Sequence, residues 1–344
     1  MLQKLATQTL TLLPPEAAHK ATIELLKSPF LPAPLGGCSP MLRTNLAGME
    51  FPNPIGMAAG FDKNAEVPAS LLRLGFGFVE VGAVTPRPQS GNPSPRVFRL
   101  RSDEAIINRY GFNNDGLDAI GKRLQAQSKR PGIVGINLGA NKDAEDRTED
   151  YVTSLKALEP FVAFLTVNVS SPNTQGLRAL QGKEVLTELL VKVLAARTTG
   201  KPVFVKVAPD LSDEERADIA AAAMDAGVDG MIVSNTTLNR EGLKSADRDE
   251  AGGLSGRPLF EMSTAILRDF ARETEGKLPL VGVGGIFSAR DAFTKIKAGA
   301  SAVQLYTALI YEGPGLIGRM RRKLPLLLKA EGFSSVSEAV GADL

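Results

Sequence analysis

LVGVGGIFSARDAFTKIKAGASAVQLYTA, residues 280–308, contains one complete strand–helix–strand repeat. LVGVGG (280–285) is a short apolar run closed by glycines. SARDAFTKIKAGA (288–300) has helical character and meets a glycine stop at Gly299, and AVQLYTA (302–308) is a second apolar run. Near-continuous apolar strands separated by helices mean parallel strands buried on both faces. The same unit recurs upstream. PIGMAAG (54–60), FVEVGAVT (78–85), IVGINLG (133–139), AFLTVNV (163–169), VFVKVA (203–208) and GMIVSN (230–235) all read as strands. EVPASLLRLG, EDYVTSLKAL, KEVLTELLVKVLAAR and SDEERADIAAAAMDAG supply helices between them, two ending at Gly75 and Gly227. Eight repeats predict the α/β class and a closed (β/α)8 TIM barrel. An open doubly wound sheet is the alternative, but no G-x-G-x-x-G follows the first strand. Residues 1–40 lie before the repeat and predict a small N-terminal helical appendage; 41–335 predict the barrel domain. Residues 86–130 form a long excursion after the second strand, and such insertions at a catalytic face line or cover a site.

Composition narrows the function. The 344 residues are 43% hydrophobic and 23% charged, with net charge +2, which argues against a general nucleic-acid binder. Cys38 is the one cysteine, so no intrachain disulfide or cysteine cluster can form. Its neighbours GGCSP offer no base, and it reads as a bystander. His19 is the one histidine, which excludes His-rich metal sites. No apolar stretch reaches the roughly 20 residues needed to span a bilayer. The N-terminus is interrupted by Gln3, Lys4, Gln8 and threonines and does not read as a signal peptide.

In a (β/α)8 barrel the chemistry gathers at the C-terminal ends of the strands. There the chain places Asp62, Lys63 and Asn64; Thr85 and PRPQSGNPSP; Asn137; NVSSPNTQG (168–176); Lys206; Ser234 to Thr237; Gly284-Gly285; and Tyr306-Thr307. Polar loops are ordinary, so one or two such groups mean little. Lys206 inside VFVKVA is different, because a buried lysine without a partner is costly. GVGGI (282–286) and YTA (306–308) mark the loops after strands seven and eight, a frequent phosphate site. GGLSG (252–256) could add further amides. Lys206 could form a Schiff base, or remain an ammonium facing negative charge on a bound ring. Asn137, Asn168, Asn173 and Asn235 favour the ring, because amides pair with alternating C=O and N–H edges.

AAGFDKN, GAVTPRPQSGNPSPR, INRYGFNN, NVSSPNTQG, VFVKVAPD, SNTT, GGLSG, GVGGI and YTALIYEGP occur in this order and spacing. Together, from about residue 10 to 330, they resemble the dihydroorotate dehydrogenases of the quinone-dependent class. The resemblance implies FMN at the barrel mouth and oxidation of dihydroorotate to orotate in pyrimidine synthesis. It implies flavin contacts from Ala59, Gly60, Lys63, Ala83, Asn137, Asn168, Lys206, Ser234, Gly256, Gly285, Tyr306 and Thr307. Ala83 stands where relatives often carry Thr or Ser, so a backbone contact survives there and a hydroxyl contact does not. Substrate contacts are implied for Lys63, Asn108, Arg109, Tyr110, Gly111, Phe112, Asn168, Asn173, Asn235 and Thr236. Ser171 matches the catalytic base of the quinone class, with Thr174 or a trapped water beginning a proton relay and 171–182 as the lid.

LQKLATQTLTLL (2–13) and PEAAHKATIELLK (15–27) read as two short amphipathic helices, which alone would simply pack on the barrel. The resemblance implies a membrane-facing pair that admits ubiquinone or menaquinone, with His19, Arg99 and Tyr306 near the quinone head. RMRRK (319–323) is either a solvated helix face or an attraction to anionic lipid. The implied state is a monomeric peripheral protein on the cytoplasmic face of a bacterial inner membrane, with no nucleic-acid partner. The competing readings are a soluble dihydroorotate dehydrogenase with another acceptor, a Lys206 Schiff-base lyase and a non-catalytic membrane-binding barrel.

Overall fold

The structure, a computed structural model, describes residues 9–28 and 37–344. Thirteen strands are numbered along these residues. Eight of them close a parallel barrel: β3 (Ile55–Met57), β4 (Phe78–Val84), β7 (Ile133–Leu138), β8 (Phe164–Asn168), β9 (Val203–Val207), β10 (Gly230–Val233), β12 (Leu280–Val283) and β13 (Ala300–Leu305), with β13 hydrogen-bonded back to β3. All eight expected runs are barrel strands, in the expected order. Each loses one or more residues to the loop at its end. The eighth stops at Leu305, because Thr307 opens a helix.

Side chains two apart along a strand point to the same side of the wall, so the barrel interior is built in layers. The lowest layer is aromatic. Phe78, Phe164 and Phe204 are all buried, with successive ring centroids 6.1 and 5.5 Å apart. Each phenylalanine lies in register with a glycine on a neighbouring strand: Phe78 with Gly56, Phe164 with Gly135, Phe204 with Gly230. A Cβ at any of the three glycines would land inside the facing ring. The next inward positions include Glu80, Asn137, Thr166, Lys206 and Gln304, all buried and polar, beside the apolar Ile232. The barrel is therefore greasy at one end and polar at the other.

A hairpin outside the expected set plugs the greasy end. β1 (Thr44–Leu46) and β2 (Met49–Phe51) pair antiparallel, and Phe51 stacks on Phe78 with centroids 4.7 Å apart. Its two-residue turn, Ala47-Gly48, has positive φ at both positions, which suits the twist of a tight hairpin.

The excursion carries its own antiparallel sheet. β5 (Val97–Leu100) and β6 (Ala105–Asn108) pair with each other, and β11 (Gly253–Gly256) from the GGLSG stretch pairs with β6.

Eleven helices are numbered among the described residues, beginning with α1 (Pro15–Leu26). The next four are α2 (Pro68–Arg73), α3 (Leu117–Gln127), α4 (Arg147–Leu158) and α5 (Lys183–Ala195). They are followed by α6 (Asp213–Ala226), α7 (Phe260–Glu273), α8 (Ala289–Lys297), α9 (Thr307–Glu312), α10 (Gly315–Ala330) and α11 (Val336–Ala339). Their ends follow local chemistry. Ser212 and Glu215 form a reciprocal capping box at the start of α6, and Gly227 ends it in the left-handed region. Asp146 caps α4 through Thr148 and Glu149. Beyond residue 335 the chain still packs on the barrel, with Val336 and Ala339 fully buried.

Of the N-terminal pair, α1 is formed. Ala18, Ile23 and Leu26 are buried, the Leu26 carbonyl accepts from Ser70 at 2.6 Å, and Glu16 pairs with Arg96 at 2.8 Å. The first expected helix lies largely outside the described residues; of its span, Thr9 and Leu10 are helical and 11–13 turn.

Candidate active site

One cavity of about 570 Å³ opens over the polar end of the barrel and continues to the apolar side of α1. Every expected flavin contact lines it: Ala59, Gly60, Lys63, Ala83, Asn137, Asn168, Lys206, Ser234, Gly256, Gly285, Tyr306 and Thr307. So do Asn108, Tyr110, Gly111, Phe112, Ser171, Asn173, Asn235 and Thr236, together with His19 and Arg99. Arg109 is the exception. Its guanidinium leaves the cavity to pair with Glu250 at 2.6 Å and to sit over the Phe98 ring.

A chain of amides crosses the floor. Asn137 donates to Glu80 at 2.7 Å, Asn168 donates to Asn137 at 2.8 Å, and Asn235 donates to Ser170 at 3.0 Å and toward Asn168 at 3.4 Å. Gln304 donates to the other oxygen of Glu80 at 2.6 Å. Tyr151, fully buried, donates to the Asn168 carbonyl at 2.8 Å and holds the end of β8. Glu80 and Gln304 are outside the set expected from the sequence. The signal that marks Lys206, a polar residue inside an apolar strand, is present for Glu80 in FVEVGAV.

Two lysines reach this floor. Lys206 is 5% exposed, and its ammonium has no hydrogen-bonded partner among the described residues. Burial pulls its pKa down, and the charge of Glu80 pulls it back. Lys63 donates to the Gly60 carbonyl at 2.8 Å and lies 4.2 Å from the centre of the Tyr110 ring. Burial first, then the nearby Arg96 charge, bring it down to about 8. An unpaired buried cation calls for an anion or an electron-rich ring.

The third corner is built from glycines. Gly256 and Gly285 have φ of 109° and 71°. A Cβ on Gly285 would come within 2.5 Å of the Phe260 Cα, and one on Gly256 would overlap the Glu104 carbonyl. Both positions need glycine for close packing as well as for conformation. Thr307 begins α9 here and donates to Ser255 at 2.8 Å. This corner suits a phosphate held by backbone amides.

The segment 171–182 follows the floor residue Asn168 and contributes Ser171 and Asn173 to the cavity lining. Ser171 is 5% exposed, and its Oγ accepts the Asn173 amide at 3.3 Å. Thr174 Oγ1 and Thr236 Oγ1 are buried with no partner among the described residues. Arg178 ties the loop down, donating to the Ser170 carbonyl at 3.2 Å, to Asp210 at 2.8 Å and to the Thr236 carbonyl at 3.0 Å.

Toward α1 the lining turns aromatic. His19 meets Phe61 edge-on, with centroids 5.5 Å apart, and Phe61 meets Tyr306 at 5.4 Å. Burial, with help from the Lys63 charge, drives the His19 pKa down to about 3. Arg99 donates to the Thr11 and Leu13 carbonyls at 3.0 and 2.7 Å. Leu12 and Leu25 stand 79% and 56% exposed at this end. No described helix is long and apolar enough to cross a membrane. Cys38 lies apart from the cavity, its thiol donating to the Pro52 carbonyl at 3.1 Å.

Residues 41–328 match the family model for dihydroorotate dehydrogenase. A relative from Parvibaculum lavamentivorans, a dihydroorotate dehydrogenase (quinone), is 55% identical over 341 residues, covering 99% of this chain and 98% of its own. A second of the same name, from Brucella ovis, is 55% identical over 331 residues, with 94% and 91% covered. Among solved structures, Eimeria tenella DHODH in complex with ferulenol superposes with a TM-score of 0.93 at 43% identity, covering 96% of this chain and 95% of that one.

Proposed function

The chain belongs to the dihydroorotate dehydrogenase family, and from that premise we propose that it oxidises dihydroorotate to orotate on FMN and passes the electrons to a quinone, a step of pyrimidine synthesis. The observation that carries this reading is the continuous cavity, polar over the barrel and apolar beside α1. A reaction with one polar and one greasy substrate needs both ends.

The residues fit an FMN. The glycine corner suits its phosphate, and Lys206, Asn137 and Asn168 suit the polar edge of a flat ring. When bound, the flavin supplies the hydride acceptor. Everything else is the work of the chain. Lys63, Asn108, Asn173, Asn235 and Thr236 hold dihydroorotate by its carboxylate and amide edges. Tyr110 to Phe112 close one side.

Ser171 Oγ takes the C5 proton. What supports it as the base is its buried place in the cavity lining, on a segment, 171–182, that carries no Asp, Glu, His or Cys. A serine is a weak base, so its proton must leave along a relay. Thr174 Oγ1, buried and unpartnered among the described residues, is suited to bind the water that begins one. The lid tied by Arg178 keeps bulk solvent out.

His19, Arg99 and Tyr306 form the quinone end. His19 is neutral across the physiological range, so it offers a hydrogen bond and not a charge. The exposed leucines beside this opening support a resting place on a membrane surface. We place it on the cytoplasmic face of a bacterial inner membrane, as a monomer, since one chain supplies every residue named. Ubiquinone and menaquinone both suit the apolar approach.

Anaerobic dihydroorotate added to purified protein is expected to bleach the oxidised-flavin band, and a quinone to restore it. A flavin that dihydroorotate cannot bleach would refute the reading.

A further inference from the structure

Lys295 is fully buried in α8, and the oxidation of dihydroorotate gives it no task. Its Nζ donates to Ser263 Oγ at 2.8 Å and to Thr264 Oγ1 at 3.0 Å, both in the opening turns of α7. It also lies 5.2 Å from the centre of the Phe260 ring. No carboxylate among the described residues forms an ion pair with it. The acids it feels, Asp291 on its own helix and Glu261 on α7, act from further away. The strands beneath, β12 and β13, carry no titratable side chain. An ammonium here is out of water, lacks a counter-ion and sits beside the positive end of a helix dipole. Each of these is unfavourable, and burial holds the group down to about 7. Structural packing alone would favour an apolar residue.

The hydrogen bonds lead to the glycine corner. Ser263 Oγ, which accepts from Lys295, lies 3.2 Å from both the Phe260 and the Gly284 carbonyl oxygens. The Gly284 carbonyl and the Gly285 N–H belong to one planar trans peptide, so they point in opposite directions. Drawing the carbonyl back toward Ser263 turns the Gly285 N–H the other way, toward the cavity that both glycines line. A charge at the head of such a chain polarises each bond along it and strengthens the last donor.

We propose that Lys295 is a positioning residue for the phosphate end of the site: through Ser263 it sets the Gly284–Gly285 peptide, and it takes up a proton when a phosphate dianion arrives. This rests on the FMN reading. The sign follows from the group's depressed state in the free protein. Below about pH 7 Lys295 is charged before binding and no proton is needed. Above it the amine is neutral when free and protonated when the dianion is bound, so FMN affinity falls by up to tenfold per pH unit. Riboflavin, which has no phosphate, does not share this dependence.

The test is calorimetry on the full-length protein stripped of flavin, at pH 8 in buffers of different ionisation enthalpy. At this pH the phosphate is already a dianion and contributes no proton of its own. The expected result is uptake approaching one proton with FMN, clearly less with riboflavin, and loss of the difference in Lys295→Met. That variant should also lose FMN affinity by about tenfold or more at pH 6.5 while keeping riboflavin affinity. Equal uptake by FMN and riboflavin in the native protein overturns the proposal, and this arm needs no variant to fold. Lys295→Met with unchanged uptake also overturns it. Either result leaves the FMN reading intact, because FMN would still bind. A protein that binds neither flavin would sink both.

Discussion

Asn137 donates its amide hydrogen to Glu80 at 2.7 Å, and that contact decides which way round the floor amides face. Both Glu80 oxygens accept amide N–H groups, from Asn137 and from Gln304. Asn137 must therefore turn its oxygen to Asn168, and Asn168 must turn its own oxygen to Ser170 and Asn235. Glu80→Gln replaces an acceptor with a group that can do either, and it removes the charge opposite Lys206. The expected outcome is a folded, flavin-poor protein whose reduction by dihydroorotate is slower by about 10- to 100-fold, read by stopped flow. Glu80→Leu leaves the Asn137 and Gln304 amides without their buried acceptor and should cost about 1–3 kcal/mol for each in urea unfolding. Native reduction rates in Glu80→Gln would show that the amides hold their orientation without the carboxylate.

Ser171→Ala removes the hydroxyl proposed to receive the proton. Flavin content should be unchanged, and reduction by dihydroorotate at neutral pH should slow by about 10²–10⁴-fold, the usual worth of a general base. Ser171→Cys should recover part of the rate with a new inflection at the thiol's pKa. A Ser171→Ala enzyme within a few-fold of native would assign the proton elsewhere.

The barrel is readable in the sequence because each of its strands is a short apolar run between turn residues, and parallel strands must be apolar on both faces. Lys206 stands out as a misfit in such a run. Glu80 carries the same mark but lies in the middle of β4, away from the strand end where a barrel's chemistry is sought; Gln304, next to the last residue of β13, is an uncharged amide and stands out less than a lysine. The hairpin 44–51 escapes a sequence reading because three-residue strands are too short to show alternation. The β11–β6 pairing joins distant parts of the chain, and no local period encodes it. Lys295 sits in TKIKAG, where a lysine on an amphipathic helix reads as solvated; only packing against Ser263 and Phe260 reveals that it is buried. Arg109, taken from the NRYGF run as a ligand contact, faces away because Glu250 captures its guanidinium.

With Lys63 as a substrate contact, orotate binding should be sensitive to alkali. Its pKa is held down to about 8 in the free protein, chiefly by burial. A bound carboxylate favours the ammonium and raises it. Below pH 8 the charge is present before binding, so the orotate Kd should be flat. Above pH 8 the lysine must be protonated first, and the Kd should rise by about tenfold per unit. Lys63→Met should bind weakly at every pH and lack the bend. Flavin-difference titrations between pH 6 and 10 measure this, and a flat native profile would exclude Lys63 as the titrating contact.

Arg99 latches the turn at 11–13 over the apolar opening through two backbone carbonyls. Arg99→Ala should raise the quinone KM by about tenfold and leave anaerobic reduction by dihydroorotate unchanged. Deletion of residues 1–40 should act in the same direction and more strongly. The His19 ring, already down to about 3, should add no inflection near pH 6.5 to quinone turnover. Loss of the dihydroorotate half-reaction in Arg99→Ala would mean that the two ends of the cavity are not separable.

Arg178 holds the covering loop at three points: the Ser170 carbonyl before it, Asp210 beyond β9 and the Thr236 carbonyl beyond β10. Asp210 is itself braced by the Thr237 hydroxyl and the Leu238 amide. The loop is thus pinned to two neighbouring strand ends through one side chain. Arg178→Ala cuts all three ties while leaving Ser171 and Asn173 in place chemically. If closure excludes water and completes the substrate contacts, the reduction rate at saturating dihydroorotate should fall by about 10- to 100-fold and KM should rise less. Arg178→Lys keeps the Asp210 pair but cannot reach both carbonyls at once, so it should recover only part of the rate. Hydrogen exchange reports directly on the tie: amides of 171–182 should exchange faster in Arg178→Ala, with those of β8 unchanged. Native exchange in that loop alongside a slowed reaction would move Arg178 from holding the lid to acting on the bound molecules.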